Sequence, residues 1–402
     1  MDSIKNSASW HDHIEYVLGN HSRLLRIQQM PAKPPFDEQV IDFFNDLSQV
    51  ISKTSAVKQY PDMIALAFWL RRGNIQAMRK DYNDCTERLG RGLVFHIAPG
   101  NVALSFFYSL AIGLLAGNTN IVRLPSRIFT QADLLCRILL SMEDNYATLY
   151  ERICLIRYPH NNEITDKVSA LCHSRIIWGG DATIMTIRQS PLPPRANEIT
   201  FANRFSILLI DADKYLSDYN PQKTAHDFYN DTYLSDQNAC SSPRIIFWLG
   251  KRIDEAKDIF WRAIREHLDN YELVPVITVD KMVTFCKFAA INDCRLIREH
   301  DYKILRVQLE RIDKSVLACL GNSGYFYEYN IKDISEIVPI CAWELQTLSY
   351  IGLDSNILRN LIISYSPSGV DRIVPIGHTM DFELTWDGID IIRQLSRIIS
   401  TN

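Results

Sequence analysis

Leu93-Val94-Phe95-His96-Ile97 is followed by Ala98-Pro99-Gly100-Asn101, an apolar run over 102–115, Ala116-Gly117-Asn118-Thr119, and then Asn120-Ile121-Val122-Arg123-Leu124. The first five residues are apolar enough for a strand buried on both faces. Pro-Gly-Asn makes a tight turn. The run over 102–115 is long enough for a helix, and Gly117-Asn118 turns the chain into a second short strand closed by Pro125-Ser126. Strand, turn, helix, turn, strand is a βαβ unit, which requires a parallel sheet with helices on its faces.

The same alternation continues outward. Helices are expected at 131–142 and 164–171 and strands at 152–157, 175–178 and 205–211, with the loop Gly179-Gly180-Asp181 opening a further helix. This describes a doubly wound nucleotide-binding sheet. The first 90 residues read as mainly helical, with a Pro-rich turn at 31–35 and a core-facing helix at 64–70, and nothing in them suggests chemistry. After a strand at 244–249 comes an amphipathic helix at 252–268, and alternation to about residue 365 reads as a second α/β domain. The divisions expected are a helical region 1–90 packed on a cofactor-binding domain 91–233, a catalytic domain 234–368, and a segment 369–402 that returns to the cofactor domain and ends in a helix.

Bulk properties set the class. The 402 residues are 47% apolar and 22% charged, with a formal charge of -4, which argues against a nucleic-acid partner. Nine cysteines without a Cys-x-x-Cys pair or zinc spacing suit a reducing cytoplasm. Met1-Asp2-Ser3-Ile4-Lys5 carries no signal-peptide core. The longest apolar run is shorter than the roughly 20 residues a membrane span needs. A soluble, cytoplasmic, metal-free protein is expected.

Chemistry concentrates in Ser235-Asp236-Gln237-Asn238-Ala239-Cys240-Ser241-Ser242-Pro243. A cysteine is most often packing, but these neighbours are poor core formers, and a thiol before a strand is placed to act as a nucleophile. Nothing in the sequence shows what would activate it. The eight other cysteines sit in apolar or helical surroundings and read as packing. Asn101 stands in a turn before a helix, where an amide is either a helix cap or a donor to an oxyanion. Gly117-Asn118 and Gly179-Gly180 adjoin strands without matching Gly-x-Gly-x-x-Gly. Arg123 and Arg127 read as phosphate contacts or surface charges. His96, inside an apolar strand, reads as a core histidine rather than a base.

Taken together these motifs resemble the aldehyde dehydrogenase superfamily. Ala116-Gly117-Asn118-Thr119 with Arg123-Leu124-Pro125-Ser126 is similar to its cofactor segment, Arg123 replacing the usual Lys, and Trp178-Gly179-Gly180-Asp181 to its Phe-Thr-Gly-Ser segment. Within that superfamily, Gln237-Asn238-Ala239-Cys240-Ser241-Ser242-Pro243, Asp371-Arg372-Ile373-Val374-Pro375-Ile376-Gly377 and Trp386-Asp387-Gly388 with Leu395-Ser396-Arg397 resemble the LuxC-type acyl-CoA (long-chain fatty acid) reductases.

The resemblance implies an aldehyde dehydrogenase-like α/β fold and NADPH-dependent reduction of an acyl thioester, on CoA or a carrier, to an aldehyde. Cys240 would carry the acyl group and Asn101 would hold the oxyanion. Asn118, Arg123, Ser126, Gly179 and Gly180 would meet the cofactor. A partner acyl-protein synthetase and self-association into a homo-oligomer are also implied. The alternative is an acyl-transfer subunit that reduces nothing. Hydrolytic members of the superfamily have Glu-Leu-Gly-Gly-Lys where this chain has Ile199-Thr200-Phe201-Ala202-Asn203. The water-activating glutamate is missing, and Glu198 is adjacent but out of register. That departure suits a thioester reductase better than an acid-forming oxidase.

Overall fold

The structure, a computed structural model, describes residues 10–297 and 302–401; residues 1–5, read above as lacking a signal core, lie outside them. The chain divides into two compact units, one reaching Ala202 and resuming at Phe382, the other running from Asn203 to Asp381. Among the described residues no helix is long and apolar enough to cross a membrane.

The first unit holds a six-stranded sheet of β1 (Glu15–Leu18), β2 (Leu93–Ile97), β3 (Thr119–Arg123), β4 (Ile153–Arg157), β5 (Ser174–Trp178) and β6 (Asn197–Phe201). Their spatial order is β1-β4-β3-β2-β5-β6. All neighbours are parallel except β1 on β4. The chain leaves β2 toward β3 and β4, then crosses to β5 on the other side, so the topological switch point lies between β2 and β5. Ligands of such sheets bind outside the carboxyl ends of the strands at that point. The helix between β2 and β3 runs Ser105–Leu115, later than expected because 101–104 first make a turn, and it buries every residue from Phe106 onward. It is core packing. The edge strand β1 falls in the region read as helical.

A polar chain crosses this apolar core. His96 is fully buried, its Nδ1 2.7 Å from Ser109 Oγ and its Nε2 2.9 Å from Asn120 Oδ1. Trp178 Nε1 donates to Ser109 Oγ and Asn120 Nδ2 to the Asn118 carbonyl. One assignment satisfies all four: the serine hydroxyl donates to Nδ1, and Nε2–H donates to the asparagine. His96 is therefore a neutral core residue joining β2, β3 and β5 through the intervening helix. Gly113 makes room for it, since a Cβ there would stand 2.0 Å from Asn120 Oδ1.

The C-terminal segment completes this unit. Leu384, Ile391, Ile392 and Leu395 enter its core. A strand at Ser396–Ile398, where a helix was expected to end, pairs antiparallel with Arg88–Gly90. The chain returns at 382, whereas the sequence placed the return at 369.

The second unit holds seven strands: β7 (Phe205–Asp211), β8 (Pro243–Leu249), β9 (Cys294–Ile297), β10 (Leu305–Leu309), β11 (Tyr325–Ile331), β12 (Leu345–Ile351) and β13 (Arg372–Pro375). They lie in the order β9-β10-β11-β8-β7-β12-β13, parallel apart from β9 on β10. β7, assigned from sequence to the nucleotide-binding sheet, is central here between β8 and β12. The division at Ala202 therefore replaces the one expected at 233. A strand buried on both faces shows by its apolar run that it is interior, but not in which sheet.

Burial pushes the His96 pKa down to about 4. The folded state then resists a proton that the unfolded chain accepts near pH 6.5, so stability falls as pH drops from about 6.5 toward 4. His96→Leu strands its two partners and should cost about 2–4 kcal/mol at neutral pH. Because the variant escapes the acid penalty, its deficit in urea unfolding should shrink at pH values between the two. A deficit that stays constant contradicts this.

Candidate active site

The loop that carries Cys240 lies at the amino edge of the second unit's sheet, between a 3-10 turn (Tyr233–Ser235) and β8. Asp236 and Gln237 both have left-handed φ, 53° and 55°. For residues with a Cβ this costs roughly 1–2 kcal/mol each, and it persists only where the surroundings impose it. Here they do. Asp236 N and Gln237 N donate to Tyr233 O and Thr232 O, Ser323 N donates to Asp236 O, and Tyr271 Oη donates to Asp236 Oδ1 at 2.7 Å.

Gln237 is fully buried and its amide makes all four of its hydrogen bonds. Oε1 accepts from Gly324 N (2.8 Å) and Tyr325 N (3.1 Å), while Nε2 donates to Pro243 O (3.0 Å) and Tyr325 O (3.2 Å). The side chain thus bridges the first residues of β8 and β11. Gly324 has φ +84°, and a Cβ there would stand 2.1 Å from the Lys303 carbonyl, so the approach needs glycine.

Cys240 follows, half-buried, its carbonyl accepting from Ser206 Oγ of β7 at 2.7 Å. Ser241 Oγ lies 3.4 Å from Met380 Sδ. The segment bearing Met380 is clamped by buried Asp231, which accepts from Gly377 N (2.7 Å) and Thr379 N (3.1 Å). Burial raises the Asp231 pKa to about 7.

Burial also pushes the thiols of Cys136, Cys154, Cys172 and Cys341 up to about 12, leaving them inert at neutral pH. The expectation that all eight other cysteines are packing needs one correction: Cys286 is exposed on the helix Pro275–Ala289, whose sequence is apolar on more than the face it buries.

In the first unit, four of the expected cofactor residues and Asn101 gather at the carboxyl ends of β2, β3 and β5. Asn101 is exposed in the turn after β2. Arg123 ends β3 in register with Ile97, its guanidinium 4.4 Å from the Tyr158 ring centroid. Ser126 is exposed just beyond. Gly179 and Gly180 follow β5 and lead into the helix Asp181–Ile187. Asn118 is the exception. It precedes β3, at the amino edge, is buried, and binds Gly92 N through Oδ1 and Leu395 O through Nδ2, both at 3.0 Å. It fastens the C-terminal segment and lies at the opposite edge from the other four. The motif match correctly identified the turn but could not say which end of the strand it occupies.

Glu198 lies in β6 opposite Arg175, which is buried and takes one of its oxygens at 2.5 and 2.8 Å, while Arg188 takes the other at 2.7 Å. Both carboxylate oxygens are thus occupied by guanidiniums. Gln237 and Asp231 escaped notice as site residues, because their roles depend on partners distant in sequence.

The family of acyl-CoA reductases (LuxC) matches residues 9–398. Long-chain acyl-protein thioester reductases are similar: that of Aliivibrio fischeri is 23% identical over 343 residues, covering 83% of this chain and 66% of the relative. That of Vibrio harveyi is 22% identical, covering 77% and 63%, and that of Photorhabdus laumondii 27%, covering 77% and 64%. The chain thus spans a little under two thirds of the length of these curated relatives. Among solved structures, aldehyde dehydrogenase 21 from Physcomitrella patens superposes with a TM-score of 0.62 at 11% identity, covering 94% of this chain and 85% of that one. An NAD-dependent benzaldehyde dehydrogenase from Corynebacterium glutamicum gives 0.64 at 10%, covering 94% and 88%. These likenesses show an aldehyde dehydrogenase-like fold.

Gln237→Met keeps the volume but strands two amides and two carbonyls at the amino edge of β8 and β11. It should destabilise the protein by about 2–4 kcal/mol and accelerate hydrogen exchange at 324–325. Wild-type melting together with wild-type exchange would refute the role given to Gln237.

Proposed function

The chain belongs to the acyl-CoA reductase (LuxC) family, and from that premise we propose that it reduces an acyl thioester to an aldehyde through an S-acyl intermediate on Cys240. One observation carries the reading. The Cys240 loop is held in a strained conformation by a saturated hydrogen-bond set, while the glutamate nearest the place of a water-activating base is committed to two arginines. A thiol held ready while that glutamate is taken up by arginines suits transfer between thiols followed by reduction, not hydrolysis.

The Cys240 thiolate attacks the acyl carbonyl and the donor thiol departs. Ser206, bonded to the Cys240 carbonyl, fixes the peptide that presents the sulfur. Asn101 is taken as the amide donor to the oxyanion, an interaction commonly worth about 3 kcal/mol. The residues at the carboxyl ends of β2, β3 and β5 fit a dinucleotide: Arg123 supplies a cation, Ser126 a hydroxyl, and Gly179-Gly180 backbone without side chains to hold phosphates away. Those residues would hold a nicotinamide cofactor, which would supply hydride for the reduction of the acyl group to aldehyde. Arg123 suits the extra phosphate of NADPH.

The relatives' names speak of acyl-protein thioesters, so the donor proposed is a long-chain acyl group on a protein or CoA thiol, with a partner synthetase as its source. The cytoplasm, where free thiols and reduced cofactor persist, is the compartment proposed.

The test is NADPH consumption on adding acyl-CoA of graded chain length. Cys240→Ala should lower the rate by about 10³-fold or more, with aldehyde as the wild-type product. A Cys240→Ala variant that reduces thioester at the wild-type rate rules out the mechanism. Acyl labelling of the wild type without NADPH loss would show an acyl-transfer subunit instead. Arg123→Gln should raise KM for NADPH about tenfold with kcat little changed; equal KM values would remove Arg123 from cofactor binding.

A further inference from the structure

The sequence left open what readies Cys240 for attack. The structure offers another group. Arg244 is the second residue of β8, four positions after the cysteine. Its Nη2 donates to Gln237 O at 2.9 Å and its Nη1 to Gly321 O at 3.2 Å, so the guanidinium reaches back to the start of the loop that carries Cys240. Its Nε is buried without a hydrogen-bond partner. Both acceptors are neutral carbonyls, and among the described residues no carboxylate forms an ion pair with it.

A guanidinium does not give up its proton in a protein. A cation removed from water without a counter-ion is costly, and the structure lowers that cost most directly by placing an anion near it. The other charges around the loop are already engaged. Asp236 takes the Tyr271 hydroxyl, and Asp231 takes two backbone amides. Lys281 is bound to the Tyr302 and Ser323 carbonyls and Lys303 to that of Leu268. His378 and Asp381 pair with each other at 2.7 Å. Tyr229 and Tyr325 are held neutral by burial. Burial works against the charge on Arg244, and the ionised Cys240 is what works in its favour.

We infer that Arg244 is the positioning residue that keeps Cys240 in its thiolate form, its half-buried guanidinium, which pairs with no carboxylate among the described residues, supplying a fixed positive charge to the loop between Gln237 and Pro243. The inference rests on the reading of Cys240 as nucleophile and adds the group that prepares it. No proton acceptor is needed at the moment of attack, because the thiolate exists beforehand. When the thiohemiacetal collapses to aldehyde, the carbon–sulfur bond breaks with its electron pair on Cys240, and the same charge receives the returning thiolate. The proton that the reduction consumes goes to the departing donor thiolate and comes from solvent.

Iodoacetamide alkylation of Cys240, followed by peptide mass spectrometry across a pH series, tests this without acyl donor or cofactor. The wild-type rate should reach half its maximum well below the ordinary thiol pKa of about 8.5. Arg244→Gln should move that midpoint up by about one pH unit or more, whereas Arg244→Lys, which keeps the charge, should stay close to wild type. A folded Arg244→Gln variant with the wild-type midpoint overturns the inference. So does a lysine variant that shifts as far as glutamine. If the glutamine variant does not fold, the wild type still decides, because a midpoint at or above the ordinary thiol value overturns the inference. A low midpoint in a wild type that takes no acyl group would instead overturn the reaction proposed and leave the role of Arg244 intact.

Discussion

A primary amide shut away from water must find four hydrogen-bond partners inside the protein, and Gln237 finds them at the starts of two neighbouring strands. The rest of the candidate site depends on that bridge. It brings the chain before β8 against the beginning of β11 and imposes the left-handed pair Asp236-Gln237. It also fixes the carbonyl that Arg244 binds. Each interaction alone is worth about 1 kcal/mol net. Leaving any of these groups unpaired costs more, and that asymmetry makes the loop conformation unique.

The two sheets place their functional groups at opposite kinds of edge. In the first unit the groups suited to phosphates and ribose follow the strands, where helix starts and open glycines lie. In the second the thiol precedes its strand, at an edge where strand amides and carbonyls need capping, and Gln237 and Ser206 supply the caps. A binding edge has to leave backbone groups available to a ligand, whereas a nucleophile has to be immobilised.

How much of this the sequence discloses differs by element. The βαβ unit from β2 to β3 was legible because its apolar runs have strand and helix lengths and its turns carry Pro, Gly and Asn. Motif order singled out Cys240, Arg123 and the Gly179-Gly180 turn, and the structure places the arginine and the glycines at the ends of β3 and β5. The sheet to which β7 belongs was not legible, since pairing partners 141 residues apart in the chain, such as Thr347 and Ser206, leave no local trace. Asn118 was misassigned for a related reason: a turn motif carries no label for the edge it occupies. The strand Ser396–Ile398 was read as helical because a short helix, Ile391–Gln394, precedes it, and three residues are too few for a period to declare itself. Arg244 left no signal, since the role proposed for it rests on contacts that only the fold brings together.

The central claim is that Cys240 accepts an acyl group and surrenders it to hydride, not to water. Intact-mass spectrometry of the wild-type chain mixed with a long-chain acyl-CoA in the absence of cofactor tests this most directly. The expected result is a mass gain equal to one acyl group, located on the peptide carrying Cys240, stable in buffer and discharged as aldehyde when NADPH is added. An adduct on another residue, or one that discharges in buffer as the free acid, would contradict it.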